Sequence, residues 1–160
     1  MMLVYKNQIM QVVTNLGKLF LTENNINKAI KCFEIAAENG SSDSLLELAM
    51  IYYEGSGVKC DLQKAKYYFK ILSKKYNSDV AQYNLGMIYN KEKKYLKSKQ
   101  NFDLAARQNN VDALMKLGII YRDGLGVKKD PYKTFKYFEM ASKLNNPYAF
   151  FYLAYFYQNG

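Results

Sequence analysis

The chain has 160 residues, 49% of them hydrophobic, with two cysteines, no histidine and a net charge of +9. Without histidine, neither a Cys/His zinc site nor a Ser-His or Cys-His nucleophile can be built, and two thiols are too few for a disulfide framework. No apolar run approaches the roughly 20 residues that span a bilayer, and Met1 to Gln11 has no uninterrupted apolar stretch or small-residue cleavage site, so a cytoplasmic protein is expected.

Along the chain an aliphatic-small pair is followed three residues later by an aromatic, five times: Leu16-Gly17-Phe20, Leu48-Ala49-Tyr52, Leu85-Gly86-Tyr89, Leu117-Gly118-Tyr121 and Leu153-Ala154-Tyr157. The steps between successive leucines are 32, 37, 32 and 36 residues, so short and long units alternate. Self-similarity at this period specifies a stacked repeat array. After each of the first four comes a second helical pattern: Ala29-x3-Phe33-x2-Ala36, Ala65-x3-Phe69-x2-Leu72, Ser98-x3-Phe102-x2-Ala105 and Thr134-x3-Phe138-x2-Ala141. Apolar or small residues at i, i+4 and i+7 make one helical stripe. Each repeat is therefore a hairpin of helices A and B, and the expected fold is an all-α α/α superhelical solenoid of about nine helices, four hairpins plus a terminal unpaired helix A. Expected repeat limits within a single domain over 1–160 are about 10–41, 42–78, 79–110, 111–146 and a partial 147–160.

A glycine inside a helix costs about 1 kcal/mol relative to alanine, so Gly17, Gly86 and Gly118 predict a close helix crossing, filled by the B-helix phenylalanines. From the A leucine to the B phenylalanine the spacing is 17 residues in repeats one and three and 21 in repeats two and four. The four extra residues lie in the turns Glu54–Asp61 and Asp123–Asp130. There the glycines supply positive φ and end helix A, Val58 and Val127 tuck inward, and Asp61 and Asp130 cap helix B. Asp130-Pro131 and Asn146-Pro147 are start signals. These Gly-x-Gly turns lack the fuller phosphate-loop patterns and no strand precedes them, which leaves a structural role. Cys32 is expected on a helix and Cys60 in a loop.

The stretch Ala81-Gln82-Tyr83-Asn84-Leu85-Gly86-Met87-Ile88-Tyr89, the two Gly-x-Gly-Val-x2-Asp turns and the Lys-Ala-x3-Phe helices closely resemble the Sel-one-like repeat (SLR) family, a relative of the tetratricopeptide repeat (TPR). Repeats one and three look like shortened members with TPR-like spacing. The resemblance covers about residues 10 to 160 and implies a scaffold or adaptor that holds a partner protein in the groove of a right-handed superhelix, with roles in quality control, signalling, or bacterial contact with hosts or rivals. Some secreted bacterial relatives carry a disulfide in each repeat; two cysteines without matching pairs depart from that pattern.

In such a superhelix the residues two before, two after and five after the repeat leucine line the concave face. Here they are Thr14, Lys18 and Leu21; Leu46, Met50 and Tyr53; Tyr83, Met87 and Asn90; Met115, Ile119 and Arg122; then Phe151, Tyr155 and Gln158. Methionine adapts its shape and tyrosine combines area with a polar tip, which suits a peptide groove. The competing reading is that the stripe is additional core. The last helix, with seven aromatics between Pro147 and Tyr157, has no helix B after it, so either the chain continues or this end is an interface, including one with a second copy.

Residues 81–160 hold 13 basic and 6 acidic residues against 10 and 8 in residues 1–80, and Lys91, Lys93, Lys94, Lys97 and Lys99 form the densest cluster. The cluster suits an acidic partner or a solvated face. The alternative function is nucleic-acid binding by this basic half, with some of the sixteen tyrosines stacking on bases; against it, most tyrosines hold repeat core positions and the lysines fall on a turn and a B helix. Asp43, Glu47 and Asp112 have no catalytic context, so no enzyme activity and no cofactor are expected.

Overall fold

The computed structural model describes residues 2–159, with side chains over 4–158. Among them are nine α-helices and no strand: α1 Met2–Thr22, α2 Ile26–Glu38, α3 Ser42–Glu54, α4 Leu62–Tyr76, α5 Asp79–Lys91, α6 Tyr95–Ala106, α7 Val111–Asp123, α8 Pro131–Lys143 and α9 Pro147–Asn159. The helices fall into two compact units divided after Asn77. In the first, α1 packs on α2, α2 on α3 and α3 on α4; in the second, α5, α6, α7, α8 and α9 follow the same neighbour-to-neighbour rule. Four A/B hairpins and an unpaired last A helix are present, as the repeat pattern requires.

Each hairpin closes on its phenylalanine. Phe33, Phe69, Phe102 and Phe138 are all buried. A Cβ placed on Gly17, Gly86 or Gly118 would lie 2.6, 2.6 or 2.5 Å from the nearest carbon of Phe33, Phe102 or Phe138. That is closer than nonbonded carbons approach, so glycine is what lets the ring seat. Repeat two manages the crossing with a buried Ala49.

Caps divide one hairpin from the next. Ser41, Ser78, Asn110 and Asn146 accept the backbone N–H three residues on, at 3.2, 3.2, 3.0 and 3.0 Å, which starts α3, α5, α7 and α9 six residues before their repeat leucines. In repeat one that position is Ile9, which cannot cap. The helix consequently runs through Ile9 and is already formed at Met2, two turns before residue 10, where the repeat pattern predicts its start.

Both long turns have one design. Gly55, Gly57, Gly124 and Gly126 take φ of 76°, 72°, 74° and 71°. The Asp61 and Asp130 N–H groups donate back to the Tyr52 and Tyr121 carbonyls at 2.8 and 3.0 Å. Their carboxylates then cap α4 and α8, accepting from Lys64 N and Lys133 N at 3.0 Å. Val58 and Val127 are half-buried, and Val127 packs on the core of the second unit. Cys32 lies on α2 and Cys60 in the turn, both as free thiols.

Candidate partner-binding surface

In the first unit the expected surface residues separate by depth. Thr14 is fully buried: its hydroxyl lies 2.8 Å from that of Ser44, 3.2 Å from that of Ser41, and donates to the Met10 carbonyl at 2.8 Å. It ties α1 to α3 and has no outward face, contrary to expectation, because neighbouring A helices approach closely there over small polar side chains. Leu46, Met50 and Tyr53 on α3 are half-buried, as is Leu21 on α1. The Tyr53 ring stands edge-on to Phe69 at 6.2 Å, and its carbonyl accepts the Cys60 thiol at 3.3 Å. Lys18 is exposed and pairs with Glu47 at 3.3 Å.

In the second unit Tyr83, Met87 and Ile119 are half-buried and rest on the core formed by Phe102, Leu114, Leu117 and Phe138. Tyr83 lies 5.7 Å from the Phe102 ring. Asn90 is half-buried as well. Met115 differs: at 8% exposure it belongs to the core itself. The position two before the repeat leucine is thus buried at Thr14 and Met115, half-buried at Leu46 and Tyr83 and exposed at Phe151, a spread that the family spacing does not reveal.

Arg122 is exposed but not mobile in purpose. Its Nε and Nη2 donate to the two carboxylate oxygens of Asp123 at 2.7 and 3.0 Å, and the guanidinium lies 5.4 Å from the Tyr152 ring centre. The paired hydrogen bonds raise the Arg122 pKa and hold the Asp123 carboxyl below its ordinary range. Tyr152 in turn stacks on Phe138 at 4.6 Å. The sequence reading missed this Asp123–Arg122–Tyr152 group; its signal was an adjacent Arg-Asp at the end of one A helix and an aromatic just before the next repeat leucine. Phe151, Tyr155 and Gln158 are exposed on α9.

The lysine cluster is partly neutralised. Lys94 pairs with Glu92 at 2.7 Å and Lys99 with Asp103 at 2.6 Å, while Lys97 lies 6.0 Å from the Tyr89 ring. A cleft of about 890 Å³ contains Glu34 and Asp61, and Asp61 is occupied as the α4 cap. Among the described residues no group of three or more His, Cys, Asp or Glu could hold a metal ion, and no helix is long and apolar enough to cross a membrane.

Comparison with known proteins follows the same repeat limits. Residues 15–41, 42–76, 111–146 and 147–160 match the Sel1 repeat model, and residues 80–110, the short third repeat, match a tetratricopeptide repeat. A component of an ERAD-associated E3 ubiquitin-protein ligase from Arabidopsis thaliana, HRD3B, is 34% identical over 104 residues, which are 61% of this chain and 16% of the plant protein. A Sel1 repeat protein from Oxalobacter formigenes has a similar fold, with a TM-score of 0.76 at 22% identity over 90% of this chain and 62% of that one. The protective antigen c5321 of uropathogenic Escherichia coli, which displays an SLR fold, aligns with a TM-score of 0.52 at 22% identity over 94% of this chain and 42% of its own. The repeat matches take in most of the chain, and the chain belongs to the Sel1 repeat family.

Proposed function

We propose that this chain is a non-enzymatic scaffold that binds a partner protein or peptide through the exposed parts of its A helices. The observation that carries the reading is a surplus of apolar side chains. Each hairpin already closes its core with a buried phenylalanine against a small residue, yet Leu46, Met50 and Tyr53 in the first unit and Tyr83, Met87 and Ile119 in the second keep part of their surface in water. Half-exposed methionine and tyrosine beside polar ends such as Asn90 and Arg122 suit an amphipathic peptide, which gains area from the apolar groups and orientation from the polar ones.

The last helix adds a second binding element. In α7, Leu114 and Tyr121 are buried and Gly118 lies against Phe138 of α8. The counterparts in α9, Phe150, Tyr157 and Ala154, are exposed. This is the side on which the other A helices receive their B helix, so a partner helix bearing a phenylalanine over Ala154 fits it, next to Phe151 and Tyr155.

Panning a displayed random-peptide library over the immobilised chain tests the reading. Peptides enriched on the native chain should bind at least tenfold more weakly to Met87→Glu, Ile119→Glu or both, with melting temperatures close to native. Enriched peptides that bind these variants equally well would contradict it.

A further inference from the structure

Each unit has a cleft between two B helices, over the A helix that both pack on. In the first unit it lies between α2 and α4 over α3, and in the second between α6 and α8 over α7. The two clefts are built from the same repeat positions. Each has two core leucines beneath it, Leu45 with Leu48 or Leu114 with Leu117, and a half-buried tyrosine on one wall, Tyr68 or Tyr137. That tyrosine stacks on an A-helix tyrosine, Tyr52 at 6.1 Å or Tyr121 at 5.7 Å, with the rings 10° from parallel in both cases.

What differs is the charge. Counted from the B-helix phenylalanines, Glu38 in the first unit corresponds to Arg107 in the second, Tyr67 to Lys136 and Ile30 to Lys99, while the acidic residue after the phenylalanine is kept as Glu34 or Asp103. The first cleft is lined by Glu34 and Glu38 without a cation; the second by Lys99, Arg107, Lys133 and Lys136 against Asp103 alone. Since one fold holds both sets, packing does not require the cations. Burial raises the pKa of both wall tyrosines. Glu34 and Glu38 add to this at Tyr68, whereas at Tyr137 Asp103 adds to it and Lys99 and Arg107 oppose it.

Two of the four cations already have partners. Lys99 pairs with Asp103 at 2.6 Å and Lys133 with Asp130 at 3.2 Å, and both lie over the Tyr121 ring at 5.6 and 4.9 Å. Among the described residues no carboxylate pairs with Arg107 or Lys136, and both are exposed. Half-buried Tyr137 and Met140 and buried Ala106 line the same cleft. It is also the wider of the two, about 470 Å³ against 210 Å³. In the first unit Tyr67 stands edge-on to Tyr68 at 5.3 Å, and Lys136 brings no ring to that place.

Charge and lining together select the occupant. Unpaired cations beside an apolar wall call for an apolar side chain with carboxylates next to it. A nucleic acid would need free aromatic faces for its bases, but Tyr121 and Tyr137 stack on each other and the remaining apolar lining is aliphatic. We infer that the α6–α8 cleft docks an acidic peptide segment of another protein, which seats one apolar side chain against Met140 and Tyr137 and sets flanking carboxylates on Arg107 and Lys136. This surface does not use Tyr83, Met87 or Ile119, so it stands or falls independently of the A-helix surface.

Fluorescence anisotropy on the full chain tests the proposal, with labelled synthetic peptides that carry one leucine, methionine or phenylalanine between glutamates as probes. The first unit supplies the variant: Arg107→Glu with Lys136→Tyr installs the residues that the same positions carry at Glu38 and Tyr67, so its melting temperature should stay close to native. At least one probe should bind the native chain and bind this variant at least tenfold more weakly. Lys70→Glu with Lys74→Gln, exposed on α4 and equal in the charge removed, should leave binding unchanged. On the native chain, serine in place of the apolar residue should weaken the probe by about tenfold or more. Four results would each overturn the proposal: no probe bound by the native chain, equal loss in the two variants, a serine probe that binds as tightly as its parent, or an oligothymidylate strand that binds more tightly than the peptides and is lost in the same variant.

Discussion

Lys93 shows how one residue can sit against local preference. The short turns of repeats one and three have the same backbone: Asn24 and Lys93 are left-handed with φ of 58° and 57°, and the next N–H, from Asn25 or Lys94, donates 2.8 Å back to Phe20 or Tyr89. Asparagine tolerates this conformation because its short side chain bonds locally, whereas lysine has no such compensation and the region costs L-residues about 1–2 kcal/mol. At the cap, Asn25 accepts from Lys28 N in repeat one, but Lys94 offers no side-chain cap to α6. Lys93→Asn should therefore stabilise the chain by about 0.5–1 kcal/mol, measured as a higher urea midpoint; an unchanged or lower midpoint would contradict this account of the turn. The core leucines of the internal repeats were legible one by one, since Leu48, Leu85 and Leu117 are buried. Leu16, carrying the same motif, is 42% exposed, because burial depends on a neighbouring helix that the motif does not encode.

At the scale of elements, the alternation of short and long repeats has a packing explanation. The long turn of each even repeat reaches the first residue of the preceding B helix: a Cβ on Gly57 would lie 2.2 Å from Ile26, and one on Gly126 2.6 Å from Tyr95. A short repeat leaves that helix start open, and the four residues added to the next repeat fill it. The glycines thus answer two demands, positive φ and absence of a side chain. Gly126→Ala should cost about 2–3 kcal/mol, from left-handed strain plus collision with Tyr95, read as a lower melting temperature; a loss below about 0.5 kcal/mol would show that the turn does not dock as described. The helix-ending glycines and capping aspartates were legible because their causes are local. The contacts with Ile26 and Tyr95 were not, since they join residues 31 apart in the chain. The passage of α1 through Ile9 follows from an apolar residue in a cap position, a negative signal that repeat matching passes over.

At the scale of the molecule, the same pairing rule builds both units, and it decides which side chains remain for a partner. The family pattern named three A-helix positions as outward, and the structure separates them. Those two before the repeat leucine turn inward at Thr14, which meets Ser44 of the next A helix, and at Met115, which joins the core of the second unit; those two after it stay half-buried or exposed from Lys18 to Tyr155. Sequence spacing gives the direction of a side chain from its own helix axis, whereas its depth depends on the helix beside it. The apolar surplus on α3, α5 and α7 is the basis for reading this family member as a scaffold. The most direct test is affinity capture from the cells that make the protein, comparing the native chain with Tyr83→Ser/Met87→Ser after both are shown to melt within a few degrees of each other. The scaffold account predicts at least one protein retained by the native chain and lost by the variant. Identical retained sets at equal stability would contradict it.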